Sequence, residues 1–168
     1  VKTNFLNHEM IADTADFELK ALDSANIAFS TKNVNAHVDF DKRMGDFKSN
    51  GKGSVVQFPV NQYICFMDKF KWLMDKNSIE LSADKSKAGS KFAGDAANPN
   101  SDIDLAGSEF ISVNPKQDSL RFKAPAATFN MRKYVITANK VAYIRVADAL
   151  IYPNNGLVIV KRGAHMET

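Results

Sequence analysis

Residues 126–141 read AATFNMRKYVITANKV, and this stretch contains the pattern that decides the fold. Apolar and polar residues alternate up to Phe129, a polar turn follows at Asn130-Met131-Arg132, and the alternation resumes through Ile136. A period of two is typical of a β-strand with one buried face. Two such strands joined by a short turn place Phe129 and Ile136 on the same face. The stretch therefore predicts a β-hairpin.

The same phrase occurs four times, each time with an aromatic residue and an apolar partner seven residues further on. A single hairpin buries too little apolar surface to persist in water, so the hairpins must pack on one another. The pattern predicts an all-β fold of stacked antiparallel hairpins, either a β-solenoid or an open β-jelly-roll. The four pairs are Phe40 with Phe47, Trp72 with Ile79, Phe129 with Ile136, and Tyr152 with Ile159.

Strand patterns fill most of the remaining chain. Residues 13–22 fit a short helix or a strand, and we favour a strand; in residues 63–74 the alternation also favours strands. Residues 82–107 differ, because Lys, Ala, Ser, Gly, Asp and Asn dominate them. We interpret the chain as a single β-rich domain, residues 1–168, with a long flexible excursion at 82–107.

The composition narrows the class of protein. The chain has 168 residues, of which 45% are hydrophobic and 24% charged, as is ordinary for one globular domain. Its net charge of +3 comes from scattered residues without a basic run, so nucleic-acid binding is not expected. The longest apolar runs fall well short of the roughly 20 residues that cross a bilayer. Because the chain begins at Val1 without a methionine or a signal peptide, we expect a fragment of a longer protein.

Three stretches carry a resemblance to a known family. Residues 126–130 (AATFN), 135–141 (VITANKV) and 147–149 (ADA) resemble the repeats of OstA-like envelope proteins. The resemblance covers about residues 36–51 and 120–166. It implies an open β-jelly-roll or β-solenoid in the periplasm or cell envelope of a Gram-negative cell, and a role in lipopolysaccharide transport. Residues 110–122 also resemble very large envelope proteins of the Bacteroidetes.

Residues with catalytic or metal-binding chemistry are sparse. His8, His37 and His165 lie far apart and show no metal-ligand spacing, so we expect solvated histidines. Cys65 lies in an apolar stretch, which indicates a buried structural thiol. No nucleophile motif or phosphate-binding glycine loop is present in the sequence. We therefore predict no catalytic residue and no cofactor.

The strongest candidate for a metal site is a run of alternating oxygen-bearing side chains in the excursion. Calcium takes six to eight oxygen ligands, but the glycine of the usual calcium loop is missing because Ile103 stands in its place. We interpret the run as solvated loop side chains and predict no metal. The run consists of Asn98, Asn100, Asp102 and Asp104.

Aromatic residues are the candidate ligand-facing groups. Most of them are expected to point inward and fill the space between sheets. A subset on a concave surface would instead line a trough for acyl chains or a platform for sugars. The candidates are Tyr63, Trp72 and Tyr152.

Three functional hypotheses follow. The leading one is a non-catalytic β-scaffold and interaction module of a larger cell-envelope protein, which self-associates or stacks on further hairpins of that protein through its open sheet ends. The alternative is a lipid or lipopolysaccharide carrier with an apolar groove; lipid or glycan would then be the ligand. The third is a β-helical polysaccharide-acting enzyme, which requires one exposed cluster of Asp39, Asp41, Arg43, Arg132 and Arg145.

Overall fold

The computed structural model describes residues 3–22, 26–50, 54–82 and 107–168. These residues form sixteen β-strands and three short 3-10 turns, with no α-helix among them. The turns are Pro115–Gln117, Asn154–Gly156 and Arg162–Ala164. The strands are β1 (Thr3–Phe5), β2 (Glu9–Lys20), β3 (Ile27–Asp39), β4 (Met44–Ser49), β5 (Ser54–Phe58), β6 (Tyr63–Met67), β7 (Lys69–Leu73), β8 (Ser78–Ser82), β9 (Ser108–Ser112), β10 (Arg121–Ala124), β11 (Ala126–Asn130), β12 (Val135–Asn139), β13 (Ile144–Val146), β14 (Ala149–Ile151), β15 (Val158–Val160) and β16 (Met166–Glu167).

The sixteen strands belong to one open antiparallel sheet. Its order is β14-β13-β10-β9-β6-β5-β3-β4-β7-β8-β11-β12-β15-β16, and β2 pairs with both β1 and β3. The predicted all-β class of antiparallel hairpins is confirmed. Strand is also correct for residues 13–20, 63–67 and 69–73, whereas residues 21–22 lie beyond the end of β2. Of the predicted excursion, residues 83–106 lie outside the described residues.

The sheet divides into two arms along β3. The second half of β3 pairs with β4, as in Ala36 opposite Phe47, while its first half pairs with β5, as in Thr31 opposite Val56. Arm I consists of β4, β7, β8, β11, β12, β15 and β16, and arm II of β5, β6, β9, β10, β13 and β14. Successive hairpins alternate between the arms. Two crossings take a single residue each, at Asp68 and Pro125.

The two arms pack face to face around an aromatic core. Phe58 of arm II lies 5.1 Å from Phe129 of arm I between ring centroids. Phe29 of β3 lies 5.5 Å from Phe58 and 5.1 Å from Phe70 of arm I, so its ring contacts both arms. Phe29, Phe58 and Phe129 are fully buried, and burying such a side chain contributes about 1.5–3 kcal/mol. The core therefore holds the arms together as one unit.

Hydrogen bonds from loops of arm II to backbone carbonyl groups of arm I form a second link, which we call the inter-arm clasp. Asn61 is fully buried after β5, and its Nδ2 donates to the carbonyl oxygens of Tyr134, at 2.7 Å, and Val160, at 3.2 Å. The Nε2 of Gln117 in arm II donates to the carbonyl oxygen of Ala164 in arm I at 2.7 Å. Since backbone groups without partners are costly when buried, the clasp fixes how the loops of the two arms meet.

Four hairpins share one loop design. Each has a four-residue loop, at residues 40–43, 59–62, 74–77 and 131–134, between directly paired strand ends. The last loop residue adopts a positive φ in every case, and these residues are Arg43, Gln62, Asn77 and Tyr134. The shared loop sets a constant offset between facing residues. The predicted pairs Trp72 with Ile79 and Phe129 with Ile136 are accordingly confirmed.

The predicted pair of Phe40 and Phe47 is wrong. Phe40 lies in the loop rather than in a strand and is 48% exposed, while Phe47 faces Ala36. Val38 takes the strand position equivalent to that of Phe129, opposite Gly45. The phrase has the right spacing, but its aromatic residue lies two positions too close to the turn.

The predicted pair of Tyr152 and Ile159 is also wrong. Strand β14 ends at Ile151, and Tyr152 lies beyond it, 73% exposed. Ile159 belongs to β15, where it faces Thr137 on one side and Glu167 on the other. The residues between Tyr152 and Ile159 cross from arm II to arm I instead of closing a hairpin.

Candidate interaction surfaces

Two of the three edge strands of the sheet, β1 and β14, carry exposed apolar side chains; the third edge strand is β16. At the amino-terminal end, Phe5 of β1 is 73% exposed, and the following Leu6 is exposed as well. At the other end, all three residues of β14 are exposed, and Leu150, Ile151 and Tyr152 form an apolar run. An edge strand presents backbone N–H and C=O groups that an added strand can pair with. The two ends are therefore candidate sites for strand addition.

The three candidate aromatic residues do not meet in one site. Tyr63 is buried in arm II, where burial raises the pKa of its phenol and its hydroxyl donates to Oε1 of Gln117 at 3.3 Å. Trp72 lies on the inner face of arm I, and Tyr152 lies at the exposed end of arm II. No common trough joins these three described side chains.

Trp72 occupies a partly open part of the core. Its ring centroid lies 5.6 Å from that of Phe17 on β2, and both side chains are half-buried. Its buried Nε1 has no hydrogen-bond partner among the described residues. Met10 and Met74 are also partly buried against the core. This end of the interior is thus less completely covered than the region around Phe58 and Phe129.

A groove of about 700 Å³ runs across six strands of the β2, β3 and arm I surface. Its floor is the backbone of residues such as Ala36, Phe47, Phe70 and Leu81, whose side chains point inward and are at most 5% exposed. The groove therefore lies on the outer face of the sheet, away from the core. We call it the outer groove.

Two rows of side chains form the walls of the outer groove. Neighbours along each row are directly paired across strands, except at Asp13, which lies at a register shift between β2 and β3. Both rows are exposed except for the half-buried Lys71. The first wall consists of Ile11, His37, Asp46, Lys71, Glu80 and Thr128. The second wall consists of Asp13, Asn35, Lys48, Lys69, Ser82 and Ala126.

Charges are distributed differently on the two walls. On the first wall, Lys71 lies opposite both Asp46 and Glu80, and its Nζ is 3.5 Å from the Asp46 carboxylate. On the second wall, Lys48 and Lys69 lie directly opposite each other. Opposed like charges destabilise a sheet, whereas opposed unlike charges stabilise it. Taken together, the two walls carry three acidic and three basic side chains.

The histidines are solvated, as predicted. His8 Nδ1 lies 3.0 Å from Asp41, and His37 Nε2 lies 3.5 Å from Glu9, with both histidine side chains more than half exposed. His165 is 67% exposed, beside Glu167. Among the described residues, no group of three His, Cys, Asp or Glu side chains is placed to hold a metal ion.

The side chains required by the enzyme hypothesis are spread over both arms. Asp39, Asp41 and Arg43 lie in or beside the 40–43 loop, Arg132 lies in the 131–134 loop, and Arg145 lies on β13 of the other arm. Lys42 Nζ donates to Asp39 at 2.7 Å and lowers the pKa of that carboxyl. Arg43 forms an ion pair with Asp75. The Lys42–Asp39 pair lies within one hairpin, whereas the Arg43–Asp75 pair connects two neighbouring loops of arm I.

Cys65 is fully buried in arm II, which confirms the predicted structural thiol. Burial raises the pKa of the thiol well above its usual range, and the nearby negative charge of Glu109 acts in the same direction. A neutral thiol is a poor nucleophile. Cys65 therefore fills core space.

Sequence reasoning did not find the outer groove. The outward positions of β4, β7 and β8 carry alternating charged residues, which is the expected pattern of any solvated sheet face. Lys48 and Lys69 are distant in sequence, and only the pairing of β4 with β7 brings them together. The one sequence feature that points to this surface is the spacing of Lys69 and Lys71, which lie two positions apart on β7 and therefore on the same face of the strand.

The sequence matches no protein-family model and no curated protein. In the described part of the chain, no helix is long and apolar enough to cross a membrane.

Proposed function

We propose that this chain is a non-catalytic β-scaffold and interaction module of a larger cell-envelope protein, which extends by strand pairing at its open ends. The observation that carries the proposal is the apolar, exposed edge strand β14, with Leu150 and Ile151 each close to half exposed. Soluble proteins usually blunt such edges with charges, prolines or covering loops. The resemblance of residues 120–166 to OstA-like proteins supports an envelope location.

The partner edge in self-association would be the amino-terminal end of a second copy. There β1 covers only residues 10–12 of β2, and Phe5, Leu6 and Ile11 are exposed. An apolar edge at each end permits head-to-tail contacts, which generate open chains when the rotation between copies does not close a ring. Further hairpins of a parent protein would use the same two edges.

Sedimentation velocity at rising protein concentration tests the proposal. We expect the weight-average sedimentation coefficient of the wild-type chain to rise with concentration. Ile151→Lys places a charge on the inward side of the edge strand, so this variant is expected to remain monomeric. Val113→Lys is the matched control, because Val113 is 53% exposed but lies in a loop. A wild-type chain that stays monomeric at high concentration, or equal loss of association in both variants, would contradict the proposal.

A lipid-carrying role is the second candidate. It is favoured by the half-buried Trp72 and Phe17 at the less covered end of the core. Trp72 is the single tryptophan, so its fluorescence reports on that position alone. Titration with lysophosphatidylcholine below its micelle concentration is expected to give a saturable blue shift. An unchanged emission spectrum across the titration would remove this candidate.

A further inference from the structure

We infer that Lys76, Arg132 and Lys133 form a binding site for a phosphomonoester group, where the hairpin loops 74–77 and 131–134 of arm I meet. The inference concerns a different surface from the sheet ends and from the outer groove, and it holds whether or not the chain self-associates. It depends on how the two loops are joined, on the charge that they carry and on the donors that they present.

The two loops are fixed against each other by backbone hydrogen bonds. The strands β8 and β11 are directly paired, so the loop before β8 lies beside the loop after β11. The amide nitrogen of Met131 donates to the carbonyl oxygen of Asn77 at 2.9 Å. The amide nitrogens of Arg132 and Lys133 donate to Oδ1 of Asn130, at 3.1 and 2.9 Å. The backbone that carries the site is therefore ordered before a ligand binds, which lowers the entropy cost of binding.

The side chain of Arg132 is held by a neutral group. The amide of Asn77 is oriented so that its oxygen accepts from Nε of Arg132 at 3.1 Å and from Nη2 at 3.2 Å. An amide carries no charge, so it orients the guanidinium without cancelling its positive charge. The Nη1 group takes no part in this contact, and the Arg132 side chain is exposed. Donors of the planar guanidinium, which matches the geometry of phosphate, therefore remain for a ligand.

The positive charge of the two loops is not compensated. Lys76 and Lys133 both occupy the third position of their loops and are exposed. Among the described residues, no carboxylate forms an ion pair with either lysine or with Arg132. The two loops contain one carboxylate, that of Asp75, and it forms an ion pair with Arg43 of the neighbouring loop. A bound anion would offset the mutual repulsion of the three remaining cations.

The three cationic groups can reach one anion. The third positions of the two loops are separated by two strand spacings, about 9.6 Å. The flexible four-carbon stems of Lys76 and Lys133 allow their ammonium groups to converge. Arg132 extends from its own loop to Asn77 in the other loop, so its guanidinium lies at the junction between them.

A phosphomonoester matches these groups in charge and in number of oxygens. Near pH 7 it carries a charge of about −1.5 to −2 and three strong acceptor oxygens. One guanidinium and two ammonium groups supply a cationic partner for each oxygen. A carboxylate, a sulfate ester or a phosphodiester carries a single negative charge and leaves more of the positive charge unmatched. The pattern therefore selects a phosphomonoester.

Nuclear magnetic resonance titration of the full chain at constant ionic strength tests the inference. The probe is glucose 6-phosphate, and its matched control is glucose 6-sulfate, which has the same sugar but a single negative charge. We expect glucose 6-phosphate to shift the amide signals of Lys76, Asn77, Arg132 and Lys133 saturably. The sulfate ester is expected to bind about tenfold more weakly.

Protein variants locate the site. The double variant Lys76→Gln and Lys133→Gln is expected to weaken binding of glucose 6-phosphate about tenfold or more. The control is the double variant Lys123→Gln and Lys140→Gln, which removes the same charge from two exposed positions on other surfaces and should leave binding unchanged. Equal binding of the two esters, or equal binding by the two double variants, would overturn the inference.

Vesicles distinguish a lipid headgroup from a soluble ligand. Phosphatidylcholine vesicles are prepared with either phosphatidic acid, which has a phosphomonoester headgroup, or phosphatidylglycerol, which has a phosphodiester. Preferential sedimentation of the chain with the phosphatidic acid vesicles would assign a lipid phosphomonoester. Binding of glucose 6-phosphate without that preference would assign a soluble one. If the chain binds neither glucose 6-phosphate nor phosphatidic acid vesicles, the inference is wrong.

Discussion

Two tyrosines show how position in the sheet changes the chemistry of a residue. Tyr63 is 1% exposed between the arms, whereas Tyr152 is 73% exposed at the end of arm II. Burial raises the pKa of Tyr63 above its usual value near 10. The folded protein therefore holds the phenol proton more tightly than the unfolded chain does. Stability from this group is fully present below about pH 10 and is lost as the pH rises further.

The corresponding prediction concerns stability in alkali. We expect the free energy of unfolding to fall between about pH 9 and pH 11.5, with Cys65 contributing in the same direction because its pKa is also raised. Tyr63→Phe removes the tyrosine contribution, so its stability should depend less steeply on pH than that of the wild type. Urea unfolding at several pH values measures the slope, and Tyr152→Phe is the control. Identical slopes for Tyr63→Phe and the wild type would show the prediction to be wrong.

Gly107 occupies a backbone position that other residues cannot adopt. Its φ is +146°, and a Cβ there would lie 2.5 Å from the carbonyl carbon of Ala124. We expect Gly107→Ala to cost about 2 kcal/mol or more of unfolding free energy. Gly163→Ala is a matched control, since Gly163 also has a positive φ, +64°, but a Cβ there would meet no atom within 4 Å beyond its chain neighbours. Gly163→Ala should cost about 1–2 kcal/mol of unfolding free energy. If urea unfolding shows equal losses for the two variants, steric overlap does not contribute at Gly107.

At the scale of elements, the position of the four-residue hairpin loops determines which pairs of facing residues could be predicted from the sequence. Alternation and turn residues were enough to predict hairpins and two correct pairs, because Trp72 and Phe129 each lie one residue before the last strand position. The same features did not place Phe40 correctly, because a seven-residue spacing to an apolar residue also fits an aromatic residue that lies in the turn itself. The left-handed residue that ends each loop is Arg, Gln, Asn or Tyr, so no glycine marks the boundary. Register therefore depended on packing between strands that are distant in sequence.

The inter-arm clasp gives a prediction at this scale. Asn61→Ala removes two hydrogen bonds and leaves the carbonyl oxygens of Tyr134 and Val160 without that donor. We expect a loss of about 2–3 kcal/mol in unfolding free energy, measured by urea denaturation. Asn139→Ala, at the exposed last residue of β12, is the control and should change stability by less than about 0.5 kcal/mol. Similar stability of the two variants would mean that the clasp contributes little.

At the scale of the whole molecule, one core serves both arms, and this has a consequence for unfolding. Phe29 contacts rings of arm I and arm II, and the buried apolar residues form a single cluster. The two arms should therefore unfold together in one cooperative transition. The chain supplies one probe for each arm, because the single tryptophan, Trp72, lies in arm I and the single cysteine, Cys65, lies in arm II.

We expect Trp72 fluorescence and the reactivity of Cys65 toward a thiol reagent to give the same urea midpoint. Cys65 should react only when the arm opens, because its thiol is buried and neutral at pH 7. Two separate midpoints would show that the arms unfold independently.

The all-β class and the buried thiol were predictable at this scale from composition and alternation. The division into arms was not, because it depends on β3 pairing with two different strands along one edge.

Because successive hairpins belong to alternate arms, the length and the width of the molecule are set by different features of the chain. The length of the strands sets the width of the molecule, whereas the number of hairpins sets its length in the direction in which strands are added. Duplicating one hairpin from each arm would lengthen the body by a fixed step and leave its cross-section and both terminal faces as they are. The length of such a molecule can therefore change without a change in how its core is packed.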